Sequence, residues 1–133
     1  MTQMHCVVVT PEATALEQAV DFVVLPLEDG EIGIARDHSP LIGRLGFGEM
    51  RLRVGGDVQR FYVDGGFAQV VENRVTVLTN RAVPADEIDD AAIAEQLQAA
   101  LQQPANTPQL LAVRDRLLSQ ARGQLLVARR SSR

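Results

Sequence analysis

Through the first 84 residues apolar and polar side chains alternate in short runs broken by glycine and proline. After Pro84 the apolar residues recur every three or four positions. The first pattern belongs to half-buried strands and the second to amphipathic helices. His5 to Val9 is a short apolar run ending at Thr10-Pro11. Val20, Phe22 and Val24 alternate with Asp21 and Val23 ahead of Pro26, which predicts a strand with those three on one face. Ile32 and Ile34 alternate with Glu31 and Gly33. Met50, Leu52 and Val54 alternate with Glu49, Arg51 and Arg53, the cleanest half-buried strand in the chain. Gly55-Gly56 predicts a hairpin into Val58–Val63. Gly65-Gly66 predicts a break before a second hairpin, 66–71 with 74–80, turning at Glu72-Asn73. Strands so short and so regularly punctuated predict an antiparallel β-sandwich or flattened barrel.

The pattern changes at Pro84. Asp86, Glu87, Asp89 and Asp90 precede an alanine- and glutamine-rich stretch, where acids suit the positive end of a helix dipole. Ile93, Leu97 and Leu101 predict a helix with a narrow apolar stripe, ended by Pro104. Thr107-Pro108 reads as an N-cap and first helical residue. A second helix follows, carrying Leu110, Leu111, Leu117, Leu118, Ala121, Leu125 and Ala128. Gly123 inside it costs about 1 kcal/mol relative to alanine. The expected architecture is mostly β plus α. An N-terminal antiparallel β-sandwich spans 1–84, and a C-terminal antiparallel two-helix hairpin spans 85–133. Two helices alone bury both stripes poorly, so the hairpin is expected to dock on something else and to move.

Composition narrows the function classes. With 133 residues, 46% hydrophobic and 23% charged, the chain is long enough for one small core plus an appendage. Its formal charge of −4 argues against sequence-independent binding to nucleic acid. All thirteen cations are arginine, and six of them (114, 116, 122, 129, 130 and 133) stand in the last twenty residues against one acid, Asp115. A basic end on an acidic body suits an acidic partner, an intramolecular contact or a solvated helix face. The lone Cys6 leaves no internal disulfide to form, and no apolar run approaches a membrane span. The N-terminus has neither signal-peptide nor transit-peptide character.

Chemistry-bearing groups are sparse. His5 and Cys6 are strand neighbours that point to opposite faces, and His38 stands alone in a turn, so no metal is expected. Ser39 beside His38 lacks the third group of a catalytic triad. Gly43 to Gly48 lacks the Gly-Lys-Ser/Thr ending of a phosphate loop and leads into a strand, which reads as a glycine-rich strand corner. Glu28 and Glu31 read as exposed residues flanking the Asp29-Gly30 turn rather than as an acid–base pair.

Several stretches together resemble one family. They are Leu25-Pro26, then Glu28-Asp29-Gly30-Glu31-Ile32-Gly33-Ile34 and His38-Ser39-Pro40-Leu41. Tyr62-Val63-Asp64-Gly65-Gly66-Phe67 and Val75 to Thr79 follow in the same order. The ordered set, over nearly the whole chain, resembles the epsilon subunit of F-type ATP synthases, the counterpart of mitochondrial delta. The resemblance implies a non-catalytic rotor subunit of the proton-translocating enzyme. Its sandwich would clamp to the gamma subunit and the c-ring, coupling ring rotation to ATP synthesis in the catalytic alpha/beta head. Its hairpin would be able to restrain ATP hydrolysis.

Glu31 and His38 are thereby expected near the c-ring, and Arg114, Arg116 and Arg122 in the regulatory helix that reaches acidic loops of the head. The resemblance also implies attachment to the cytoplasmic side of a bacterial cell membrane, through the complex only. Some relatives bind ATP between the helices through Ile/Leu-Asp, two residues, then Arg-Ala. Here Ile88-Asp89 matches, but Ala92 and Ile93 follow. The guanidinium for a bidentate phosphate contact is missing, so no bound cofactor is expected. The alternatives are an ATP-sensing subunit of the same complex and an unrelated β-sandwich interaction module.

Overall fold

A computed structural model describes residues 3–131. Eight strands precede the helices: β1 Met4–Val9, β2 Thr14–Val20, β3 Phe22–Leu27, β4 Gly30–Ala35, β5 Leu41–Val54, β6 Asp57–Val71, β7 Arg74–Leu78 and β8 Ala82–Pro84. A turn of 3-10 helix, Ala85–Glu87, leads to α1, Asp90–Leu101, and α2, Pro108–Ser131. The strands form one sheet in the order β2-β1-β7-β6-β5-β3-β4, with β8 paired to β6. Every pairing is antiparallel except β1 with β7, which is parallel. The sheet does not close, so the molecule is an open sandwich rather than a barrel, with β2 and β4 as its edges.

The sandwich arises from the long β5–β6 ribbon. Its Leu41–Leu45 half pairs through Gly66–Val70 toward β7, and its Arg51–Arg53 part pairs with β3. Between these the Gly46–Gly65 pair is missing, and Gly65 and Gly66 take φ of +69° and +105°. A Cβ on Gly66 would run into the Leu78 carbonyl, so only glycine lets the ribbon bend there. The expected break at Gly65-Gly66 is thus a bend within a single strand. The expected glycine-rich strand corner at Gly43–Gly48 lies within the first part of β5.

The two halves face each other across one apolar core. Met4, Cys6 and Val8 of β1 meet Val23, Leu25, Ile34, Met50 and Leu52 of the other half, with Val63, Val70, Val75 and Val77 between them. In β3 Val23 and Leu25 are buried in the core, whereas Phe22 and Val24 are half-buried on the other face, beside the buried Pro26. This corrects the expected face. Asp21 joins β2 to β3, its N–H donating to Arg53 O at 2.8 Å, and the switch places Val20 and Val23, not Val20 and Phe22, in the core. The predicted turns at Gly55-Gly56 and Glu72-Asn73 are present. Glu72 and Asn73 both have positive φ, as a two-residue primed turn requires.

Asp89 caps α1 by accepting from the N–H groups of Ala91 and Ala92 at 3.0 and 3.3 Å. Thr107 caps α2 by accepting from Leu110 N–H at 3.1 Å. The α1 stripe fades along its length: Ile93 is buried, Leu97 half-buried and Leu101 exposed. The surface on which the hairpin docks is the chain's own sandwich. Val127 packs with Tyr62 and Ala85, while Ala121 and Leu125 pack with Ile93.

Candidate functional site

Three surfaces present chemistry to a partner. The first is the β4 edge. Glu31 is the second residue of β4, exposed and opposite Pro26, and its Oε2 accepts from Arg51 Nη1 at 3.2 Å. His38 lies half-buried in the loop after β4, its Nδ1 2.7 Å from Ser39 O, which can only accept. That loop is tied to the β6–β7 turn: Asp37 N–H donates to Asn73 Oδ1 at 2.6 Å, and Asn73 Nδ2 donates to Asp37 Oδ1 at 3.1 Å. Four strand residues, roughly 13 Å, separate Glu31 from Ala35. The structure therefore sets Glu31 and His38 toward opposite ends of one exposed sheet edge, not in a single turn.

The second surface was not anticipated. On the outer face of β5–β6–β7, Ile42 is 74% exposed and Phe67 and Leu78 are each 49% exposed. Phe67 and Leu78 are direct cross-strand partners. Arg44 lies opposite Phe67 on the other side, its guanidinium 5.5 Å from the ring centroid. Ile42, Phe67 and Leu78 rim a shallow hollow of about 200 Å³ floored by Ala68. Contiguous exposed apolar groups of this kind mark interaction sites. The signal was present in the sequence: Phe67 and Val71 are apolar on the face opposite Ala68 and Val70, and a strand apolar on both faces is one that both faces must cover.

The third surface is α2, and its two halves behave differently. In the first half Leu110, Leu111, Val113 and Leu117 are exposed. Arg114 is half-buried, with its Nε buried and without a hydrogen-bond partner. Arg116 and Arg122 are exposed and line a groove of about 700 Å³ between α2 and the bend of the sandwich, together with Arg44, Glu28 and Leu126. Arg114 does not line it. In the second half Gly123 lies against the ribbon, and Gln120 Nε2 donates to Asp64 Oδ2 at 3.2 Å. Of the basic tail, Arg130 makes an intramolecular contact and Arg133 lies outside the described residues.

Beneath this half sits a buried polar group of the sandwich. Tyr62 Oη donates to Asp64 Oδ1 at 2.7 Å. Burial, reinforced by that hydrogen bond, pushes the Tyr62 phenol well above its ordinary range. Glu49, expected to be a solvent-facing strand residue, has a side chain only 3% exposed because α2 covers it. Its Oε1 takes Nη1 of Arg51 at 2.9 Å, Arg60 at 3.4 Å and Arg130 at 3.6 Å, and no protein group donates to its Oε2. The hydrogen bond to Glu49 raises the pKa of Arg51 above its ordinary value.

Among the described residues no three His, Cys, Asp or Glu side chains converge as metal ligands, and no helix is long and apolar enough to cross a membrane. The Asp89 carboxylate is engaged in capping α1, and Ile93 beside Ala92 is buried against α2.

Comparison with known proteins bears on the family and the fold. The family described as "ATP synthase, Delta/Epsilon chain, beta-sandwich domain" matches residues 3–85. An ATP synthase epsilon chain of Rhodopirellula baltica is 47% identical over 126 residues, covering 95% of this chain and 98% of that one. One from Desulfitobacterium hafniense is 42% identical over 93 residues, covering 69% of this chain and 70% of that one. Among solved structures, a chain of the Euglena gracilis mitochondrial ATP synthase OSCP/F1/c-ring assembly has a TM-score of 0.81 at 20% identity, covering 99% of this chain and 82% of that one. A chain of the Tetrahymena thermophila mitochondrial ATP synthase central stalk/c-ring has a TM-score of 0.75 at 16% identity, covering 96% and 97%. These two likenesses bear on the fold.

Proposed function

The chain belongs to the ATP synthase delta/epsilon family, and from that premise we propose that it is a non-catalytic central-stalk subunit that couples c-ring rotation to the catalytic head. Membership removes the alternative of an unrelated sandwich module. The observation that carries the coupling role is the open apolar row Ile42, Phe67 and Leu78. It is rigidly held by three paired strands, and the chain itself leaves it uncovered. In this reading the row packs on the gamma subunit, and the β4 edge with Glu31 and His38 faces the polar loops of the c-ring. The sandwich, residues 1–84, transmits torque as one body, because its core joins both halves. The hairpin, 85–133, regulates: α2 leaves the sandwich and carries Arg114, Arg116 and Arg122 to acidic loops of the alpha/beta head, restraining hydrolysis. The subunit reaches the cytoplasmic side of a bacterial membrane through its partners. No nucleotide is part of this reading, since Ala92 supplies no phosphate partner.

The test uses the full chain with the gamma subunit and catalytic head of its own organism. Phe67→Asp places a charge in the apolar row and should abolish capture by gamma, whereas Leu126→Asp, at a site already 62% exposed, should not. Replacing Arg114, Arg116 and Arg122 together by alanine should keep binding and raise ATP hydrolysis above that with the native chain. Equal binding by Phe67→Asp would remove the gamma-facing role of this row. Unchanged hydrolysis with the triple variant would leave a structural rotor subunit whose arginines do not inhibit. Saturable ATP uptake in equilibrium dialysis would instead favour the nucleotide-sensing alternative.

A further inference from the structure

We infer that Glu49 is the catch that holds the C-terminal half of α2 on the sandwich, and that it is built to let go. The inference deepens the regulatory reading of the hairpin, but its test stands apart from that reading.

The hold is concentrated in residues 120–130, about three helical turns. Within them Val127 meets Tyr62 and Ala85, Gly123 touches the ribbon, Gln120 reaches Asp64, and Arg130 reaches Glu49. Val127 and Gly123 set shape and Gln120 makes one neutral-donor bond. Arg130 to Glu49, at 3.6 Å, is a charged contact between this half of α2 and the sandwich.

Two properties make this contact releasable. A buried ion pair usually resists opening because removing one member strands the other without compensation. Here Arg51 and Arg60, both on the sandwich, share the same Glu49 oxygen as Arg130. When α2 departs, Glu49 therefore keeps two cations. Its second oxygen, buried and without a protein donor in the docked state, gains hydration on release. Arg130 is itself 54% exposed, so it returns to water at little loss. Glu49 thus contributes to docking through Arg130 without becoming an obstacle to undocking, which is what a two-position element needs.

The experiment reads the seat directly in the isolated full chain. Val127, 1% exposed, is replaced by cysteine, and its reaction with a maleimide reports the open population. Native Cys6 is fully buried and its thiol is pushed up to about 12, so it stays silent. In this background Arg130→Gln should speed labelling by about two- to fivefold, and Glu49→Gln by a similar factor. Arg130→Gln added to Glu49→Gln should change the rate little, because the two residues act as one contact. Arg122→Gln, an exposed charge remote from Glu49, should leave it unchanged.

The inference is overturned if Arg130→Gln labels at the parent rate, if its increment persists in the Glu49→Gln background, or if Arg122→Gln acts equally. Should Glu49→Gln fail to fold, raising salt to about 0.5 M must speed labelling of the parent but not of Arg130→Gln. The opposite pattern overturns the inference. Should Val127→Cys itself unseat the helix, amide exchange over 120–129 in chains retaining Val127 reads the same opening. None of these outcomes involves gamma or hydrolysis, so the catch and the regulatory role can fail independently.

Discussion

Replacing Gly123 by alanine adds one methyl group where α2 comes closest to the sandwich. A Cβ there would lie 2.8 Å from the Phe47 carbonyl oxygen, 3.1 Å from the Phe47 carbonyl carbon and 3.2 Å from Tyr62 Cε1. Phe47 cannot retreat, since it is backbone locked opposite Asp64 in the β5–β6 register. Tyr62 is fully buried and its hydroxyl is bound to Asp64. The helix must move instead. Overpacking by one methyl costs about 1–3 kcal/mol. At 1.36 kcal/mol per decade, the ratio of docked to undocked α2 falls by about 5- to 150-fold. Helix propensity runs the other way, since alanine is favoured over glycine by about 1 kcal/mol in a helix interior. The two effects separate by assay. A peptide of residues 108–131 should gain helicity by circular dichroism. In the full chain, amide exchange over 120–129 should accelerate while the β6 and β7 amides stay protected. Slower or unchanged exchange over 120–129 would falsify the claim that Gly123 is there to seat the helix.

Two further perturbations test other parts of the fold. Tyr62 is the chain's single tyrosine and its neutral form is favoured by burial, as is the neutral thiol of Cys6, raised from 9.0 to about 12. Stability supplied by these raised values is full below about pH 9 and is lost as pH climbs through the window to about 12, at up to 1.36 kcal/mol per unit for each group. Urea titrations at rising pH should show this loss, shallower in Cys6→Ala, and phenolate absorbance of the native chain should not rise near pH 10. Ordinary titration of that tyrosine would refute its burial. Asp89→Ala removes both capping bonds of α1 and should cost about 1 kcal/mol. Exchange of the first α1 amides should quicken by about fivefold with β-strand amides unaffected, and unchanged exchange would show that the cap contributes nothing.

What the sequence made legible follows from how local each signal is. The turns at Gly55-Gly56 and Glu72-Asn73, the Thr107 cap and the change at Pro84 are set by a few neighbouring residues, and all stand where the pattern puts them. The strand Thr14–Val20 leaves little sign in the sequence because as an edge it buries little, so its alternation is faint. The face of β3 was misjudged because the Asp21 switch depends on pairing with Arg53, thirty-two positions away. Glu49 reads as a solvent-facing residue of an alternating strand, and only the return of α2, some eighty residues later, makes it buried. Family resemblance supplied Glu31, His38 and the helix arginines. The apolar row at Ile42, Phe67 and Leu78 was in plain view, but one strand apolar on both faces does not say whether its cover is the same chain or another.

The distribution of apolar surface on α2 sets how firmly its seat can hold. Leu110, Leu111, Val113 and Leu117 are 38–55% exposed, while in the second half Ala121, Leu125, Val127 and Ala128 are buried. A partner that covers the first half gains their remaining burial, roughly 1 kcal/mol each, or about 4 kcal/mol together. Inverting an equilibrium from 1:99 to 99:1 needs about 5.5 kcal/mol of differential binding. Apolar burial alone therefore does not turn over a firmly docked hairpin. The shortfall has two sources of relief already present in the chain. Arg116 and Arg122 are exposed and available to an acidic partner. The seat itself is weakened at Glu49, whose charge is over-supplied by Arg51 and Arg60. A tighter seat, with an exclusive Glu49–Arg130 pair, would stabilise the folded subunit and put the second position of the helix beyond the reach of such a partner.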